Sequence, residues 1–104
     1  MTNTIRIPSK YDAIKYWQDR VTWAATSKSL AVIDSNSRVA IEMADKLTSQ
    51  YEFNPEAATL IQQVVDNLNF VRDNILVLTT KDAYQIRARL SNARWWAQDA
   101  RLFA

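Results

Sequence analysis

The chain has 104 residues, 48% of them hydrophobic, with 13 basic and 11 acidic side chains and no Gly, Cys or His. The missing glycine excludes phosphate-cradling loops and dinucleotide fingerprints, which need backbone free of a Cβ beside the phosphate. The missing Cys and His exclude His- or Cys-ligated zinc, haem ligation, thiol chemistry, disulfides and Ser-His triads, so no metal and no cofactor is expected.

The length fits one domain, and folding a chain of this size buries roughly 65% of its extended surface. Two expected units follow: an arm over 1–8 and a helical domain over 9–104. The arm holds the alternation Thr4, Ile5, Arg6, Ile7 and no apolar run of the signal-peptide kind. The longest apolar stretches, 30–33 and 75–78, are too short to span a bilayer. The expected setting is cytoplasmic, or the host cytoplasm if the chain is virus-encoded.

The first helix is expected over 9–27. Ser9 and Asp12 have capping-box spacing, and Ile14, Trp17, Val21 and Ala24 form its seam. The same phase continued would bury Lys28 and Ser35, so it fails there. A second seam starts out of register with the first: Leu30, Ile33, Ser37, Ala40, Ala44, Leu47, Tyr51. Two breaks compete, 26–29 and the turn-prone 34–37. The first is preferred, because the second seam runs through 34–37 with only Ser37 polar. The second helix is therefore expected over 29–52.

The third helix is expected over 55–78. Asn54 can cap it, Pro55 suits the first helical position, and Glu56 suits the positive end of the dipole. Its seam is Ala57, Ile61, Val64, Leu68, Val71, Ile75 and Leu78. The fourth helix is expected over 80–103, capped by Thr79 with Asp82. Its seam is Ala83, Ile86, Leu90, Ala93, Ala97 and Ala100, so a neighbour can approach closely. Four helices of similar length with short connections describe an all-α, antiparallel four-helix bundle.

Charge is uneven. Residues 80–104 carry five cations against Asp82 and Asp99, while the rest of the chain sums to −1. Arg87, Arg94 and Arg101 recur every seven residues along one edge of the fourth helix, with Arg89 on the other flank. One reading is a phosphate-tracking stripe aided by Trp95 and Trp96. The preferred reading is that these stems cover apolar surface and pair with nearby acids, since a nucleic-acid binder of this size is usually more basic. Asp66 and Asp73, seven apart on the third helix, read as solvated acids and not as a catalytic or cation-binding pair. No nucleophile has an adjacent base, so enzymatic activity is not expected.

Aromatic residues are in surplus. Neighbours on a helix point about 100° apart, so Trp95 and Trp96 cannot share a face. Trp96 and Phe103 flank the fourth seam and are expected in the core, leaving Trp95, Leu102 and Tyr84 on the far side. Tyr16 and Trp23 lie off the first seam, and Phe70 and Val77 off the third. One small bundle cannot hide seams and second rows alike. The surplus points to a protein–protein surface, because aromatics and Arg compose interface hot spots. The expected partner-binding residues are Tyr16, Trp23, Trp95, Arg94 and Arg101, in a self-associating inhibitor, adaptor or assembly subunit. A virus- or plasmid-encoded accessory protein is compatible with this. The alternative is a nucleic-acid binder using Arg87, Arg89, Arg94 and Arg101.

Overall fold

The computed structural model describes residues 8–80 and 83–104. Four α-helices fill it: α1 (Lys10–Thr26), α2 (Leu30–Gln50), α3 (Pro55–Asp73) and α4 (Ala83–Phe103), with a short 3-10 segment at Ile75–Thr79. Each helix packs on the next in sequence, and α4 returns beside α1. With these short connections the chain is an antiparallel four-helix bundle.

The seams read from spacing are the buried stripes, except that Leu30, Tyr51 and Ala83 at their ends are only partly buried. Ile14, Trp17, Val21 and Ala24 of α1 meet Ile33, Ala40, Ala44 and Leu47 of α2 in the core. Ala57, Ile61, Val64, Leu68 and Val71 come from α3, and Ile86, Leu90, Ala93, Ala97 and Ala100 from α4. Trp17 is fully buried, and its indole Nε1 donates to the carbonyl of Ala40 at 3.1 Å. An apolar ring thus enters the core without stranding its polar edge.

Local chemistry sets the boundaries. Ser9 Oγ accepts from the Asp12 amide at 3.2 Å and starts α1. Ser29 Oγ accepts from Val32 N–H and starts α2, which fixes the break at 26–29. Asn54 Oδ1 accepts from Ala57 N–H at 2.9 Å, one residue ahead of Pro55. The Asn54 Nδ2 also donates to the carbonyl of Phe103 at 2.6 Å. One side chain therefore satisfies an amide at the start of α3 and a carbonyl at the end of α4, both orphaned by helix geometry.

Three expectations need correction. The third helix stops at Asp73, not 78. Asn74, whose backbone amide and side chain both donate to the Phe70 carbonyl, closes it. Ile75 and Leu78 stay partly buried because residues three apart also share a face of a 3-10 turn. The fourth helix is described from Ala83 and does not reach 80, where Thr80 is extended; the Thr79 hydroxyl turns back to the Leu76 carbonyl. Asp82, its expected partner in a capping box, lies outside the described residues, as does the expected arm apart from Pro8. Phe103 is not core but 54% exposed. It closes the last turn of α4 beside Pro55, Glu56, Thr59 and Leu60, at the rim of an open recess.

Two polar residues among those described share the interior. Asn67 donates to the Gln63 carbonyl and accepts from Arg89. The Ser37 hydroxyl is fully buried and has no hydrogen-bond partner among the described residues.

A candidate protein-binding surface of aromatic and arginine side chains

With the core filled, three of the aromatics placed off the seams remain half exposed: Tyr16 at 54%, Trp23 at 51% and Trp95 at 51%. Tyr16 and Trp23 stand two turns apart on α1 and border a recess of about 220 Å³ between α1 and α2. Asp19, Arg20, Val39 and Met43 complete its lining. Towards the start of α1 the same groove continues past Tyr16 and Met43 to Pro8, Leu47 and Tyr51, over almost wholly apolar walls. The Tyr51 hydroxyl donates to the Pro8 carbonyl and closes that end.

Arg20 is the residue that sequence reasoning passed over. Its guanidinium lies 5.1 Å from the Trp23 ring centre, and its Nη1 donates to Asn36 Oδ1 at 3.2 Å. The spacing of three to Trp23 carried the signal, since residues three apart on a helix are neighbours. Val39 and Met43 belong to α2, and only the docking of α2 on α1 reveals them as part of the groove.

Trp95 stands elsewhere. It projects from α4 opposite the buried alanine seam, with the Arg94 guanidinium 5.1 Å from its ring centre. The two exposed tryptophans therefore share a device: a cation held against the ring, which keeps a large apolar face open to one side. Arg101 lies on the α1 flank of α4 and donates to Gln18 Oε1 at 3.1 Å. Arg94 and Arg101 thus share an edge with Trp95, whereas Tyr16 and Trp23 form a separate patch over α1 and α2.

The remaining candidates separate as well. Arg87 is exposed on the same edge as Arg94 and Arg101. Arg89 turns to α3, where it donates to Asn67 Oδ1 and covers the Phe70 ring at 4.6 Å. The second row expected on α3 is accordingly absorbed: Phe70 is half-buried under Arg89, and Val77 lies in the 3-10 segment against the core. Asp66 and Asp73 are both exposed, and Asp66 accepts from Gln62 Nε2 at 2.9 Å. Among the described residues no three acidic side chains converge as a metal site would require.

A further recess was not legible from spacing. α2 and α3 leave between them a groove of about 560 Å³, lined by Ile41, Ala44, Ile61 and Val65 together with Glu42, Asp45 and Lys46. None of the binding residues expected from the sequence lines it; Ala44 and Ile61 reach it from the seams of α2 and α3. No helix among the described residues is long and apolar enough to cross a membrane. Comparison of the chain with protein-family models, with curated proteins and with solved structures found no match.

Proposed function

We propose that the chain is a non-enzymatic protein-interaction module of inhibitor, adaptor or assembly-subunit type. Its binding groups are Tyr16 and Trp23 on one patch and Trp95, Arg94 and Arg101 on the other. One observation supports this above the rest: large aromatic rings stay half exposed after every seam is buried, and two of them carry a stacked arginine. Aromatic and Arg side chains held rigid at a surface are the composition that anchors protein interfaces. Self-association and a cytoplasmic setting belong to the same reading.

The test is a photo-reactive phenylalanine analogue placed in turn at 16, 23 and 95, with exposed Lys15 as the control position, in the cell that makes the protein. Discrete higher-mass adducts from the aromatic positions and none from position 15 are expected. Equal labelling from all four, or none, would overturn the reading. The nucleic-acid alternative keeps Arg87, Arg94 and Arg101 along one edge, since Arg89 is engaged with Asn67 of α3. Titration with single-stranded DNA at low salt decides it, because phosphate-driven binding weakens steeply as salt rises.

A further inference from the structure

The outward side of α4 carries a second seam. Tyr84, Ala88, Ser91, Trp95, Gln98 and Leu102 recur at spacings of four and three, and all six are exposed. They lie opposite Ile86, Leu90, Ala93, Ala97 and Ala100, which face the core. A helix with this spacing on its solvent side offers the register of a coiled coil, with 88, 95 and 102 at a and 84, 91 and 98 at d. The flanking positions are then fixed. Arg87, Arg94 and Arg101 occupy g, and Gln85, Asn92 and Asp99 occupy e.

We propose, resting on the protein-binding reading of Trp95 and Arg94, that this face pairs with α4 of a second copy in parallel orientation. Charge decides both occupant and direction. In an antiparallel pair g faces g, which sets one arginine row against another. In a parallel pair g faces the e position of the next heptad. Arg94 then meets Asp99 of the second copy, Asp99 meets the second copy's Arg94, and Arg87 meets Asn92 of the second copy. Among the described residues neither Arg94 nor Asp99 is ion-paired within its own chain. The small Ala88 and Ser91 let the backbones approach, the two Trp95 rings form one layer, and Gln98 supplies a polar layer that specifies register. Arg101 is already held by Gln18 and stays at the rim.

Sedimentation of the full chain over a range of concentrations tests the pairing. A reversible monomer–dimer equilibrium is expected. Arg94→Asp or Asp99→Arg alone should weaken it about tenfold or more, because each replaces two attractions by two repulsions, and the double exchange should restore it. Direction is read from Leu102→Cys in this cysteine-free chain. Parallel pairing places the two thiols side by side for rapid oxidation, whereas antiparallel pairing separates them by roughly 27 Å. A monomer at all concentrations, a double exchange that fails to restore the dimer, or slow oxidation would overturn the proposal. A monomer that still forms adducts with another protein at 23 and 95 would remove this pairing and leave the wider reading intact.

Discussion

α3 and α4 lie side by side and distribute their bulk in opposite ways. α3 turns Ile61, Val64, Leu68 and Val71 inward and shows Gln62, Asp66, Asn69 and Asp73 to solvent. α4 turns Ala93, Ala97 and Ala100 inward and shows Tyr84, Trp95 and Leu102. α3 fills space and α4 allows close approach. Beyond Ile86 and Leu90, which are buried, Tyr84, Trp95 and Leu102 add nothing to the interior, so their presence outside asks for an occupant. Hydrophobic content alone does not say which face of a helix is buried; its phase does.

The contrast can be broken in three places, and Ser37 of α2 tests the core they share. Leu68→Ala opens a cavity in the bulky seam and should cost about 2–5 kcal/mol in urea unfolding. A loss below about 0.5 kcal/mol would mean that this face is not core. Ala97→Leu overfills the small seam and should cost about 1–3 kcal/mol, read from the same midpoint. If it is neutral, α4 is not closely approached there. Ser37→Ala deletes a buried hydroxyl without a partner among the described residues and should raise stability by about 1 kcal/mol. A destabilised variant would show that the hydroxyl is satisfied. Trp95→Ala on the outward side should leave folding within about 0.5 kcal/mol while weakening association. Equal losses of folding and association would place Trp95 in the fold and not at an interface.

Much of the fold was legible because each seam is set by spacing within one helix. The break at 26–29 was legible because Ile14 to Ala24 and Leu30 to Leu47 follow different phases. The end of α3 was not, since a step of three from Ile75 to Leu78 satisfies an α turn and a 3-10 turn alike. Phe103 was misplaced because phase predicts direction but not whether a neighbour extends far enough to cover it. For the candidate site, the outward direction of Trp95 followed from its adjacency to Trp96. The separation of Trp95 from Tyr16 and Trp23 did not, nor did the α2–α3 groove. Both depend on how helices sit beside one another, which no single-helix pattern encodes. Ser37 was visible as a polar residue in a seam, but its unsatisfied state needed the surrounding side chains.

The indole proton of Trp17 bridges two helices from inside the bundle, bonded to a backbone oxygen that water does not reach. Its replacement by deuterium therefore requires α1 and α2 to part, while the indoles of Trp23 and Trp95 exchange from the folded state. The molecule holds a clock for its own opening beside two reporters of its surface, readable as separate resonances in one spectrum. A ligand that covers Trp95 without tightening the bundle would slow one of these signals and leave the Trp17 clock unchanged.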